Sequence, residues 1–184
     1  SPQEAYLMTS VLSDNNARAA AFGANSPLRL SRPAAAKTGT TTDWKDAWII
    51  GYTPDIVTGV WVGNNENTEM DHVAGAMGGG PIWHNVMERI YNEGLVQRLL
   101  GAEPTKNFSQ PPGLVTVEVC AVSGLLATEH CPNRIKELFI EGTEPTEYCG
   151  VHRVERVNRE PGRLATACTP PELVEERVYE IYPP

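Results

Sequence analysis

The sequence predicts an α+β fold: an antiparallel sheet with helices packed on it, followed by a small cysteine-containing, β-rich C-terminal module. Three observations carry this reading. Residues 46–52 and 56–62 are strand-like runs parted only by Thr53-Pro54-Asp55, a turn too short for a crossover helix. Apolar residues recur at helical spacing on either side, at Ala5, Leu7, Met8, Val11 and Leu12 and again at Ile82, Val86, Met87 and Ile90. All four cysteines lie beyond residue 113, where the character of the chain changes.

A length of 184 residues accommodates one domain with a small appendage. A hydrophobic content of 41% against 21% charged residues supports a packed core. The net charge of -8 excludes the basic footprint that nucleic acid requires, so no nucleic-acid partner is expected. No apolar run reaches membrane-spanning length. Residue 1 opens directly on a helix-like segment rather than a signal peptide, which says only that this piece lacks one; the intact protein is expected to carry its membrane anchor upstream.

The first element is a helix over residues 1–12. Ser1 suits the N-cap, Pro2 the first helical position, and Glu4 the reciprocal position of a capping box. Ser13-Asp14-Asn15 ends it in a turn, and residues 17–32, with Gly23 and Pro27, read as a loop. Residues 34–40 form the first strand, 41–45 a turn, and 46–52 and 56–62 the second and third strands of a meander, closed by Gly63-Asn64-Asn65. Trp48 and Trp61 fall mid-strand and are assigned to the core. After a polar, glycine-rich stretch, Pro81 opens a helix over residues 82–92 that Gly94 ends. The Gly-Gly-Gly-Pro entry is not a phosphate loop, because no Gly-Lys-Ser/Thr follows. Residues 1–100 form the main domain, 101–113 a linker, and 114–184 the small module, with strands at 114–120 and 138–140. No internal repeat stands out.

The chemistry concentrates on Lys37-Thr38-Gly39-Thr40-Thr41. Lys37 offers a point charge for a carboxylate, the threonines offer hydroxyls, and Gly39 admits a ligand close to the backbone. The continuous pattern Lys37-Thr-Gly-Thr-Thr, Asp43-Trp-Lys-Asp-Ala-Trp48, Gly51-Tyr-Thr-Pro-Asp55, Gly59-Val-Trp-Val-Gly-Asn64 and Pro81-Ile-Trp83 resembles the C-terminal part of the transpeptidase domain of class A, bifunctional penicillin-binding proteins. The opening Ser-Pro-Gln-Glu-Ala-Tyr-Leu-Met and the Ser-Asp-Asn-Asn-Ala-Arg run share the likeness, which covers residues 1–92.

That resemblance implies a partial transpeptidase or β-lactamase-like fold and D,D-transpeptidation of peptidoglycan, with an upstream glycosyltransferase domain and a cell-envelope, extracytoplasmic location. Its partners would be the D-Ala-D-Ala stem peptide and β-lactams. Lys37 and Thr40 would be catalytic, Lys37 in the proton and charge network and the Thr40 amide as an oxyanion donor. Lys37, Thr38, Gly39, Thr40 and Thr41 would bind substrate. Ser-x-x-Lys is absent: no serine of the chain has lysine three residues on. Ser13-Asp14-Asn15 matches Ser-x-Asn only in letters, lying too close to Lys37. The chain is therefore expected to be inactive alone, and either to join the missing N-terminal half of the domain or to self-associate through an exposed sheet edge. The other readings are a non-catalytic cell-wall or protein-binding module, and a segment of a serine β-lactamase or D,D-carboxypeptidase.

Cys120, Cys131, Cys149 and Cys168 are disulfide candidates: an even number, in a loop-rich stretch, at spacings unlike paired Cys-x-x-Cys. Disulfides are placed ahead of a mixed Cys/His zinc site using His130 or His152. No metal or cofactor is assigned. His72 and His84 read as surface or loop residues, and Glu66, Glu69 and Asp71 as a solvated loop. Asp43 and Lys45 lie beside the threonine run, and turn chemistry accounts for Asp43.

Overall fold

A computed structural model describes residues 1–160 and 162–182, in two compact units, Ser1–Pro111 and Pro112–Pro184. Unit 1 opens with α1 (Pro2–Ser13), whose capping box pairs the Ser1 side chain with Glu4 as the sequence predicts. The predicted loop that follows instead begins with a second helix, α2 (Asn15–Phe22). Asp14 starts it by accepting the amides of Asn16 at 2.8 Å and Ala17 at 3.1 Å. The Ser-Asp-Asn run is thus a helix junction, and the alanines behind it are good helix formers.

Three antiparallel strands follow in sheet order β1-β2-β3: β1 (Ala35–Thr40), β2 (Asp46–Tyr52) and β3 (Val57–Gly63). Ala47, Ile49 and Gly51 of β2 face inward and are buried. Over that face lies α3 (Gly75–Asn92), which reaches back well before Pro81 and carries that proline inside it. Its glycine-rich start is helical because close packing on the sheet leaves no room for side chains. A Cβ on Gly75 would meet the Trp48 carbonyl at 2.5 Å, and one on Gly79 the Ile49 side chain at 2.8 Å. Further along, Trp83 and Met87 join Leu28, Leu30 and Ile49 in the core. Gly51 makes room for Trp83, whose ring atom Cζ2 would stand 2.4 Å from a Cβ there.

The opposite face of the sheet is covered at its Ala35–Tyr52 end, where Thr9 of α1 meets the Tyr52 hydroxyl at 2.8 Å, and open at its Trp48–Trp61 end. Trp48 and Trp61 are cross-strand partners 6.4 Å apart by ring centroid, and both stay more than 40% exposed. Their assignment to the core is corrected: period-2 alternation puts them on the face that α3 does not cover. A short α4 (Leu95–Leu100), missed in the sequence, runs between the left-handed Gly94 and Gly101. The segment beyond it is held to unit 1: the Thr105 amide donates to Asp55, and Phe108 packs edge-on against Tyr52.

Unit 2 is two hairpins: β4 (Leu114–Cys120) with β5 (Arg134–Ile140), and β6 (His152–Asn158) with β7 (Val174–Glu180). β5 begins earlier than the run predicted at 138–140, and β6 and β7 were not anticipated. Charged residues such as Arg153, Glu155, Glu175 and Arg177 obscure these strands, of which β6 buries only His152 and Val157 and β7 none of its residues.

The hairpins are also copies of each other. At an offset of 38 residues, Val119, Gly124, Leu126, Ala127, Thr128 and Pro132 recur as Val157, Gly162, Leu164, Ala165, Thr166 and Pro170. The hydrogen bonds recur with them: Cys120 N–H to Leu125 and Asn158 N–H to Arg163, Ala127 N–H to Glu118 and Ala165 N–H to Arg156, Cys131 N–H to Thr128 and Thr169 N–H to Thr166. The reading of no internal repeat is corrected. Few of the paired letters are identical, so backbone geometry shows the repeat more clearly than composition does. Among the described residues, no helix is long and apolar enough to cross a membrane.

Candidate functional site

The Lys-Thr-Gly segment occupies β1, an edge of the three-stranded sheet. Its ladder has a definite phase. Thr41 N–H donates to the Asp46 carbonyl at 3.0 Å, one step beyond the Thr40–Ala47 pair. Antiparallel residues alternate between exchanging hydrogen bonds with the partner and presenting their N–H and C=O outward, so Thr38 and Thr40 point theirs to the free edge. The Lys37 ammonium reaches round that edge to the Thr38 carbonyl. Lys37 is exposed and, among the described residues, makes no ion pair.

The side chains divide by face. Lys37 and Gly39 share the open face with Ile50, Trp48 and Trp61, while Thr38 and Thr40 share the α3 face with Ile49 and Ala47. The Thr40 hydroxyl accepts the Gly75 amide at 3.1 Å, which leaves its proton available to a ligand. Thr41 is differently placed. Its hydroxyl donates to the Asp46 carboxylate at 2.9 Å and accepts the Asp46 amide at 2.8 Å, closing the β1–β2 turn. Of the five predicted binding residues, Lys37, Thr38, Gly39 and Thr40 line the edge and Thr41 holds the loop. Asp43 lies in that turn with φ 60°, 3.9 Å from Lys45.

Beside Ala36, Lys37 and Thr38 is a groove of about 170 Å³, walled on the other side by Leu12 and Phe22. Arg18, which the sequence reading passed over, builds this region. Its guanidinium donates to the carbonyls of Leu28 at 2.7 Å, Ala34 at 3.5 Å and Leu12, tying α1, the following loop and the entry to β1. Burial lowers its pKa while Asp14 opposes that. An arginine following a helix start was the available signal, since only a fork of donors serves several carbonyls at once.

In unit 2 the expected disulfides are not formed: all four cysteines are free. Cys168 is exposed, and the other three sulfurs converge with His152 so that the four ligand-type atoms lie within 4.8 Å of one another. His152 Nδ1 stands 3.4 Å from both Cys120 Sγ and Cys149 Sγ. Burial alone would raise the Cys149 thiol, but Ser123, the amides of His152 and Val151 and the His152 ring bring it down to about 5. The Cys149 contact raises His152 in turn. Cys120 is likewise lowered, against its burial, by Ser123 and the Val122 amide, while burial holds Cys131 up. His130 stands 3.7 Å from neighbouring Glu129, His72 lies tilted against the Trp44 ring, and His84 Nδ1 lies 3.0 Å from the Pro27 carbonyl.

Residues 110–154 match the family model described as penicillin-binding protein 1A, C-terminal domain. Penicillin-binding protein 1A of Clostridium botulinum is 33% identical over 149 residues, 78% of this chain and 17% of that protein. The Clostridium novyi protein of the same name is 30% identical over 185 residues, covering 97% of this chain and 20% of its own length. The crystal structure of penicillin-binding protein 1A from Haemophilus influenzae aligns with a TM-score of 0.50 and 33% identity, over 65% of this chain and 16% of that one. The chain belongs to the class A penicillin-binding proteins. It spans about a fifth or less of the length of these relatives. The family likeness covers both the sheet with its Lys-Thr-Gly edge and the first hairpin of unit 2.

Proposed function

We propose that this chain supplies the Lys-Thr-Gly wall of a peptidoglycan D,D-transpeptidase site. The carrying observation is the phase of β1, which turns the Thr38 and Thr40 amides to an open edge beside an exposed ammonium. A serine of the intact domain attacks the carbonyl between the two D-alanines of a stem peptide. The terminal D-alanine leaves as a free amino acid, and the amine of a second stem takes the acyl group from the serine. In that sequence Lys37 balances charge around the serine, and the Thr38 and Thr40 hydroxyls hold the terminal carboxylate. The Thr40 N–H steadies the oxyanion of the tetrahedral intermediate. One such donor is worth about 3–4 kcal/mol of barrier.

The nucleophile has to come from elsewhere in the domain, because the chain has no Ser-x-x-Lys. β-Lactams would acylate that same serine, and the site would face the extracytoplasmic side of the envelope. The partner is accordingly the serine-bearing remainder of the domain, with pairing of two β1 edges as the outcome when the chain is alone. Labelling the intact domain with a fluorescent penicillin tests the reading. Lys37→Ala is expected to slow acylation about 10- to 100-fold, the worth of a charged hydrogen bond. Unchanged labelling would refute it.

A further inference from the structure

We propose that Cys120, Cys131, Cys149 and His152 form a structural zinc(II) site that locks the two hairpins of unit 2 together. Three thiolates and an imidazole are a characteristic donor set for that ion, and a complete four-ligand shell marks a structural rather than catalytic centre. The geometry agrees. Bond lengths of about 2.3 Å to sulfur and 2.05 Å to nitrogen in a tetrahedron place N and S about 3.5 Å apart. The imidazole stands 3.4 Å from two of the sulfurs. The cysteines are at most 6% exposed and His152 4%, so no position is left open to water.

The residues around the set fit as well. His152 Nε2 lies 3.5 Å from a Glu180 carboxylate oxygen and has no closer partner among the described residues. A carboxylate behind the ring fixes the tautomer that presents Nδ1 to a metal. The pairing of β6 with β7 places Glu180 directly opposite His152. Cys131 Sγ also receives the Thr128 amide at 3.3 Å, the kind of donor that supports a thiolate.

Two further observations separate a metal site from three incidental thiols. The first is the repeat. At the positions of Cys120 and Cys131 the second hairpin has Asn158 and Thr169, and it folds the same turn. Thr169 Oγ1 accepts the Thr166 amide at 2.9 Å, just as Cys131 Sγ accepts that of Thr128. The loop therefore does not need sulfur for its shape. The second is the core: of the five buried apolar side chains among the described residues of unit 2, three are these cysteines, with Val119 and Val157. A small unit with so little apolar burial calls for a staple. Three sulfurs cannot be satisfied by disulfides among themselves, whereas one ion serves all three. Binding exchanges up to three thiol protons for one dication, with His152 entering neutral.

The reduced 184-residue chain is titrated with Zn²⁺, and separately with Co²⁺. The expected results are one zinc per chain and a cobalt spectrum with thiolate-to-metal charge transfer and tetrahedral d–d bands. Iodoacetamide is expected to alkylate Cys168 alone in the zinc form and all four cysteines once a chelator is added. Cys168→Ser should keep the full stoichiometry and Cys149→Ser should lose it. Glu180→Gln should keep the stoichiometry with about 10- to 100-fold weaker affinity. Because Cys149→Ser can fail to fold, the cobalt spectrum and the alkylation pattern of the unsubstituted chain decide independently. Substoichiometric zinc, equal alkylation of all four cysteines with and without metal, loss of binding in Cys168→Ser, or isolation of the chain with a disulfide within the trio would each overturn the assignment.

Discussion

The amide of Gly75, at the start of α3, donates to the hydroxyl of Thr40, at the end of β1, over 3.1 Å. One hydrogen bond thus couples the helix that covers the sheet to the strand proposed to hold substrate. The contact exists only because position 75 has no side chain: a Cβ would meet the carbonyls of Trp48 and Gly39 at 2.5 and 2.6 Å. Both obstacles are backbone and cannot swing aside. Gly75→Ala is therefore expected to cost about 1–3 kcal/mol of stability. A lower urea midpoint at unchanged m-value would register it.

Arg18 should resist conservative replacement. Arg18→Lys keeps the charge but cannot reach the carbonyls of Leu12, Leu28 and Ala34 together. A loss of about 1–3 kcal/mol is expected from the carbonyls left without a donor. Thermal unfolding of the two variants should place Arg18→Lys close to Arg18→Ala.

The two tryptophan environments should respond differently. Trp83 is fully buried beneath Gly51, and Trp83→Ala is expected to cost about 3–5 kcal/mol. Trp48 loses chiefly its contact with Trp61, and Trp48→Ala should cost about 0.5–1.5 kcal/mol. Chemical denaturation followed by far-UV circular dichroism compares them.

Alkaline stability should depend on Tyr91. Burial holds its hydroxyl above the usual tyrosine range; Thr53 and the Arg32 guanidinium, 3.5 Å above the ring, oppose the shift, and Asp55 reinforces it. Because the folded value is raised, the contribution is complete below the unfolded value of about 10 and is lost as pH rises through the folded value. Tyr91→Phe should flatten the fall in stability above pH 10, measured as urea midpoints at successive pH values.

The chain alone should take up no labelled penicillin, since it lacks the acylated serine, and intact-mass analysis after incubation reads this directly. In the same background Lys37→Ala should change stability by less than about 0.5 kcal/mol, because the side chain is exposed and its ammonium meets the adjacent Thr38 carbonyl at the solvated edge. A large loss would assign Lys37 to the structure instead of the ligand.

The sheet was legible because its turns are short and its inward residues alternate: Thr53-Pro54-Asp55 and the Ala47, Ile49, Gly51 series announce a meander. The Lys-Thr-Gly edge was legible because motif and flanks agree. The start of α3 was not, because glycines chosen for close packing read locally as loop. The tryptophans misled because mid-strand position says nothing about which face a neighbour covers. The cysteines misled more deeply. Cys149 and His152 are three positions apart, but Cys120 and Cys131 lie 18 or more positions before Cys149, and the pairs meet through the Leu126–Tyr148 bridge and the Cys149 amide on the Leu126 carbonyl.

The 38-residue echo in unit 2 means that shape and chemistry are separable there. One backbone cassette appears twice in succession, furnished once with sulfur and once with an amide and a hydroxyl, and it keeps its bends in both forms. Such a cassette could be refitted one side chain at a time, gaining or shedding a cross-link without redrawing the path of the chain.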